Sequence, residues 1–260
     1  MITTEIGHTT QDTITVRGRD LAKDLMGNID FVDGLVLCAF NRLPSLAEKN
    51  VLNAILVIGL DHGLTPSAIV ARLTYLGAPE ALNGAVAAGL LGAGTRFLGT
   101  TERAAKQFLE YSDRMDASQS EDEREAVALE LIARRLERKE TLYGYGHPIH
   151  KQVDPRVARL RQIVKDNGFY GKNWMLADAV GAALMARPKP LSTNASAAMG
   201  ATIADMKLHP TMGVALMLVG RCAGLIAHVV EEQENPIGQE IWDLVLSQDE
   251  RNELPERPER

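Results

Sequence analysis

Gly144-Tyr145-Gly146-His147-Pro148-Ile149-His150-Lys151-Gln152-Val153-Asp154-Pro155-Arg156 is the most informative stretch of this 260-residue chain. Two glycines ahead of a histidine permit a tight turn that exposes main-chain N–H groups beside an imidazole. Asp154-Pro155 supplies the residue types of an N-cap and a first helical position, which puts Arg156 in the first turn of a helix. An imidazole, backbone donors and a guanidinium around one point suit a carboxylate or a thioester oxygen. The same residues also fit a histidine that caps a helix or fills a core, and the motif alone leaves both open.

Outward from this loop, apolar residues recur with a period near 3.6, and alternation of period two is scarce. Helices are expected over 20–26, 31–41, 45–60, 67–76, 80–92, 100–115, 121–138, 155–167, 174–186, 196–206 and 211–233, with 13–17 (TITVR) as a short strand. Ser45 and Glu48 form a capping-box pattern, and Gly77 and Gly168 are placed to close helices. The fold class is all-α. Residues 118–139 read as a charged surface helix with an apolar stripe through Val127, Leu131 and Leu136, and 251–260 as a frayed polar tail. GAVAAGLLGAG, AVGAALMA and NASAAMGATIA place small residues at helical spacing, which lets helices approach closely; none follows a strand, so nucleotide-binding readings fall away.

Aromatic residues make up only 5% of the chain, which suits packed helices better than sheets. The net charge of −6 argues against nucleic acid or an anionic membrane as partner, so an anionic ligand must be met by local cations. Cys38 and Cys222 stand alone in apolar runs and read as core thiols, with no metal-ligand spacing and no metal expected. Without a secretory n-region, and with Arg221 and His228 breaking the longest apolar run, the chain is expected to be cytoplasmic.

Two further pieces carry chemistry. Asp61-His62-Gly63 ends a helix, and His62 either caps that end or reaches over a cleft. Arg221 is a lone cation in an apolar helix, where a buried guanidinium requires an anion, either a structural partner or a ligand.

These pieces together resemble one family. GYGHPIHKQVDPR is similar to the glycine-histidine loop of citrate synthases, G-[YF]-G-H-x-[VI]-x-K-x-x-D-P-R. The 61–67 segment resembles that family's D-H-x-x-x-P-S, Gly220–Gly224 its G-R-x-x-G helix, and Arg42-Leu43-Pro44 its R-L-P turn. The resemblance spans roughly 16–233 and is strongest to the short citryl-CoA lyase branch, also seen as the C-terminal module of ATP citrate lyase.

That resemblance implies a large helical domain from 1–103 and 206–260, a smaller one from 104–205, and a homodimer. It implies that His147 acts on the hydroxyl or keto oxygen of a small carboxylate, taking the hydroxyl proton in a cleavage reaction. His62, Arg156 and Arg221 are implied to bind carboxylate, with His228 one to two turns beyond Arg221. Coenzyme A is implied as substrate, with no tightly bound cofactor, and is expected at Gly144, Tyr145, Gly146, Lys151, Arg159 and Arg161, with Arg187 and Lys189 as contributors.

Two positions depart from the family. Phe97 stands where citrate synthases carry the histidine of G-P-x-H-G-G, a residue that the lyase branch also lacks. Ser196 stands where N-V-D-G supplies the aspartate that moves a proton at the acetyl carbon, and a hydroxyl is far too weak a base to replace it. A water on Ser196, or His150, is the candidate substitute. The expected function is cleavage of a 3-hydroxy-carboxyacyl-CoA into an acyl-CoA and a 2-keto acid. The alternatives are a non-catalytic relative that binds acyl-CoA or carboxylate, and a condensing synthase.

Overall fold

The computed structural model describes residues 2–147, 150–152 and 154–253. It is mostly helical. A small antiparallel meander opens the chain: β1 (Gly7–Thr9), β2 (Ile14–Val16) and β3 (Arg19–Asp20), with Gly7 opposite Val16 and Val16 opposite Arg19. The helices are α1 (Phe31–Phe40), α2 (Leu46–Gly59), α3 (Pro66–Gly77), α4 (Leu82–Leu91), α5 (Thr100–Leu109), α6 (Glu121–Glu137), α7 (Pro155–Asp166), α8 (Lys172–Met185), α9 (Ala195–Asp205), α10 (Thr211–Glu234) and α11 (Gly238–Ser247).

Most expected helices form within a few residues of their expected bounds. The helix expected over 20–26 is a single wide turn, closed by Met26 N–H to the Leu21 carbonyl. The one expected over 100–115 stops at Leu109 and resumes as a short tight turn at Ser112–Arg114. Helix α11 was not expected; it follows Asn235-Pro236, which punctuates the sequence as an ending.

The chain divides into two compact units: the chain up to Ile55 with Ala104–His209, and Leu56–Arg103 with the chain from Pro210. Residues 1–55 thus group with 104–209 rather than with 56–103, and the Asn50 side chain is bonded to Asn167 at 3.0 Å. Both α2 and α5 run unbroken through the unit boundaries.

In the first unit α8 is the central helix. It packs on α6 and α9 and buries residues around most of its circumference, including Trp174, Leu176, Val180 and Leu184. Trp174 donates its indole N–H to Thr202 Oγ1 at 3.0 Å, so the largest core side chain leaves no polar atom unsatisfied. Asp205 closes the N-terminus of α8, accepting from the backbone N–H of Gly171, Asn173 and Trp174 at 2.9–3.0 Å. The stripe of α6 is Val127, Ala128, Leu131 and Ile132, buried against α8, whereas Leu136 is exposed.

In the second unit α10 packs on α3 and α4 around Ala71, Ala85, Val86, Leu225 and Val229. Small residues set the spacing: a Cβ on Gly89 would lie 2.9 Å from the Ser67 carbonyl oxygen. By length and apolar composition α10 could cross a membrane, despite the expectation that Arg221 and His228 interrupt it; 44% of its best window is buried within the protein. Cys38 and Cys222 are free thiols, half-buried rather than sealed in the core.

Candidate active site

Residues 144–146 are held against the start of α9 by their main chain. Tyr145 and Thr193 form an isolated β-bridge, with Gly146 N–H donating to Ser192 O at 2.7 Å and Asn194 N–H to Gly144 O at 2.9 Å. Asn194 also donates from its side chain to Gly146 O at 2.7 Å. Gly144 (φ +92°) and Gly146 (φ +79°) occupy left-handed conformations that favour glycine. A Cβ on Gly144 would lie 2.5–2.8 Å from Ala197, including its backbone. The glycines therefore serve both the turn and the close approach.

This geometry fixes the orientation and tautomer of His147. The backbone N–H of His150 donates to His147 Nδ1 at 3.0 Å, and the two rings stack with centroids 4.6 Å apart. An Nδ1 that accepts a hydrogen bond carries no proton, so the neutral ring bears its hydrogen on Nε2. Nε2 is then a donor, suited to polarising a carbonyl or stabilising an alkoxide. The base role drawn from the resemblance would require the opposite tautomer, with two N–H groups facing each other.

Asp154 is the residue whose role sequence reasoning understated. Expected as an N-cap, it does accept from Arg156 N–H at 3.1 Å, with Pro155 behind it. It also accepts from Arg156 Nε at 2.9 Å and Nη2 at 2.8 Å, and from the Ala195 N–H of α9 at 3.0 Å. One buried carboxylate therefore joins the starts of α7 and α9 and clamps one edge of the Arg156 guanidinium. Arg156 Nη1 makes no hydrogen bond among the described residues. Burial works to raise the Asp154 pKa, but the Arg156 hydrogen bonds and charge outweigh it and hold the carboxyl below its usual range.

That sign gives a prediction. The ion pair contributes stability in full above the unfolded carboxylate value of about 3.9 and loses it as pH falls through the lower folded value. Asp154→Asn is expected to destabilise by about 3 kcal/mol at pH 7, because it strands the half-buried Arg156. Denaturant titrations of both proteins check this; a deficit that does not shrink below pH 4 contradicts it.

Ser196 lies in the first turn of α9, where Asn194 is the N-cap and accepts from Ser196 N–H at 2.9 Å. The family's asparagine is thus retained as a cap, while the carboxylate two residues on is absent. Tyr145 and Arg161 do not fit the expected coenzyme A role through their side chains. Tyr145 is buried and donates its hydroxyl to Ala177 O at 3.0 Å; burial raises its pKa well above 10. Arg161 pairs with Asp178 at 2.6 Å and lies over the Trp174 ring, while Asp178 also accepts from the Tyr170 hydroxyl, whose pKa is pushed up to about 12, chiefly by burial. A cleft of about 360 Å³ between α7 and α8 includes Gln152, Asp154, Arg161, Asp178, Ser192 and Thr193. Two carboxylates to one guanidinium make it a poor diphosphate site. Lys151, Arg159, Arg187 and Lys189 are exposed and make no ion pair among the described residues, which leaves them suited to phosphate.

In the second unit His62 sits in the turn between α2 and α3. Asp61 shapes that turn, accepting from Gly63 N–H at 2.8 Å, and also meets His228 Nε2 at 2.8 Å. His228 Nδ1 faces Arg72 Nε at 3.2 Å and Nη2 at 3.1 Å, so neutral His228 carries its proton on Nε2 and donates to Asp61. Arg72 itself is 2% exposed and pairs with Glu232 at 2.7 Å and with Glu231. Arg221 is buried on α10 between Gly220 and Gly224, whose close packing on Leu56, Gly59 and Leu60 ties this helix to the chain just before His62. The Arg72–His228–Asp61 chain had one sequence signal, a lone arginine in the apolar run AIVARLTYL, which reads like Arg221. Phe97, at the missing histidine, is half exposed in a wide turn spanning Gly94–Leu98.

Comparison with known proteins gives a consistent answer. Citryl-CoA lyase from Hydrogenobacter thermophilus shares 31% identity with a TM-score of 0.79, covering 100% of this chain and 96% of that one. ATP citrate lyase from Methanothrix soehngenii, solved with citrate and coenzyme A, superposes with a TM-score of 0.73 at 20% identity over 90% of this chain and 39% of that one. Citrate synthase 2 of Bacillus subtilis is 24% identical over 201 residues, 74% of this chain and 49% of that protein. The chain spans about half the length of the curated citrate and 2-methylcitrate synthases it matches. The family model for the citrate synthase C-terminal domain matches residues 4–242, and the chain belongs to that family.

Proposed function

We propose that the protein cleaves a 3-hydroxy-carboxyacyl-CoA such as citryl-CoA, releasing an acyl-CoA and a 2-keto acid. The observation that carries this reading is a pair of groups in one stretch of chain: an Nε2–H donor on His147, and an Arg156 with Nη1 available to a carboxylate. In cleavage the hydroxyl loses its proton, the carbon–carbon pair moves into a thioester enolate, and the hydroxyl carbon becomes a carbonyl. The His147 N–H stabilises the oxygen while it carries negative charge. Arg221 and His62 are proposed to bind carboxylate, and Lys151 and Arg159 the phosphates of coenzyme A. Phe97 supports cleavage over condensation, since citrate synthases carry a histidine at that position and the lyase branch does not. Similarity along the whole length to a citryl-CoA lyase supports the same direction.

The test is incubation with citryl-CoA and related hydroxyacyl-CoAs, following keto acid and acyl-CoA together. Stoichiometric release is expected; binding by calorimetry without release would instead mark the protein as a non-catalytic relative, the reading that Ser196 favours. We also propose a homodimer, supported by the exposed Leu218, Ile226 and Val230 of α10 and Trp242, Leu244 and Val245 of α11, with light scattering as the check.

A further inference from the structure

Cleavage needs one proton removed from the hydroxyl oxygen and one delivered to the enolate carbon. The two cancel, since the products together contain the atoms of the substrate, so a single group that takes the first proton can return it as the second. The inference that follows rests on the cleavage reading above.

The first unit offers few groups for this task. Ser196 is a hydroxyl, far too weak a base. The Asp154 carboxylate accepts from Arg156 and from the Ala195 N–H, and its pKa is held low. His147 has Nδ1 turned to a backbone N–H, which leaves a donor at Nε2. Lys151 is exposed and is proposed above to bind phosphate.

His150 is different. It is half-buried, and its ring stacks on that of His147 at 4.6 Å and an interplanar angle of 30°. Two hydrogen bonds anchor the residue through its main chain: its N–H to His147 Nδ1, and its C=O from Ser192 Oγ at 2.9 Å. Any side chain at 150 keeps both main-chain anchors. Histidine is also the side-chain type whose ordinary titration falls between pH 5 and 8, as a reversible proton carrier requires.

We propose that His150 is the proton shuttle of this site, standing in for the carboxylate absent at Ser196. The neutral His150 ring takes the hydroxyl proton as the carbonyl forms and the carbon–carbon bond breaks. The resulting imidazolium then gives that proton to the enolate carbon and returns to neutral. His147 meanwhile holds the oxygen through Nε2–H, and no external acid, base or oxidant enters the balance.

The experiment compares wild type, His150→Gln and His150→Ala on the hydroxyacyl-CoA that wild type cleaves. Both variants are expected to fold, because the main-chain anchors persist, and to lose about 100-fold or more in kcat with KM little changed. Added imidazole is expected to restore part of the His150→Ala rate, a rescue that a packing role would not give. Exchange of acetyl-CoA methyl protons with D2O in the presence of the keto acid should fall in parallel. A His150→Gln enzyme that retains wild-type kcat overturns the shuttle and leaves the cleavage reading intact. A wild type that cleaves no hydroxyacyl-CoA overturns the cleavage reading and the shuttle with it.

Discussion

Gly224→Ala is expected to unfold the second unit at temperatures where wild type is fully native. A Cβ at 224 would lie 1.7 Å from the Leu60 carbonyl oxygen and 2.7 Å from its carbon. No rotamer relieves this overlap, because both atoms belong to main chain. Either α10 must lift away from the end of α2, or the chain ahead of Asp61-His62 must move. Lifting α10 also separates Leu225 and Val229 from Ala71, Ala85 and Val86. A loss of about 3 kcal/mol, the upper end of the usual range for overpacking, is expected because the overlap is with main chain. Chemical denaturation measures it, and a variant within about 1 kcal/mol of wild type would show that the helices are not in backbone contact. Gly220→Ala, 2.4 Å from the Leu56 carbonyl oxygen, should act in the same direction. The two glycines of the G-R-x-x-G motif thus serve packing, while the arginine between them is the candidate ligand.

Arg72→Met should cost about 3–5 kcal/mol, the range for breaking a buried pair by removing one partner. Arg72 and Glu232 are each 2% exposed at the side chain, and the substitution leaves the Glu232 carboxylate without its guanidinium. Glu232 keeps its bonds from the Ile237 and Gly238 N–H groups at 3.0 and 2.6 Å, which start α11, so that helix should remain formed. The double variant Arg72→Met/Glu232→Gln is expected to recover part of the loss, since it removes the stranded charge. Additive single losses would mean that the pair is not coupled. His228 loses its Nδ1 donor in the same variant, so the Asp61 contact beside His62 should loosen as well.

The sequence was most legible where the physics is local. Ser45 and Glu48 form the reciprocal capping box at 3.1 and 2.8 Å, and Asp154-Pro155 starts α7, because those bonds span only a few residues. The positive φ of Gly144 and Gly146 was readable for the same reason. Interactions that depend on distant segments were hidden: nothing near Tyr145 announces the Ala177 carbonyl that takes its hydroxyl, and nothing near Arg161 announces Asp178. The tautomer of His147 depends on how the turn closes, which residue types alone do not specify. Helix α11 was missed because Glu232, its capping group, lies before Pro236 in the preceding helix. The wide turns at 21–25 and 94–98 were invisible to a periodicity of 3.6.

The second unit is assembled from two separate stretches of chain, and its principal ion pair joins residues 160 positions apart. During synthesis, α3 and α4 therefore emerge long before the helix that covers them. Until α10 leaves the ribosome, Ala71, Ala85 and Val86 lack the Leu225 and Val229 side chains that complete their cluster, and the Arg72 charge lacks its counter-ion. A nascent chain halted near residue 210 should bind chaperones through this surface, and refolding from denaturant should be slow for a helical protein of this size.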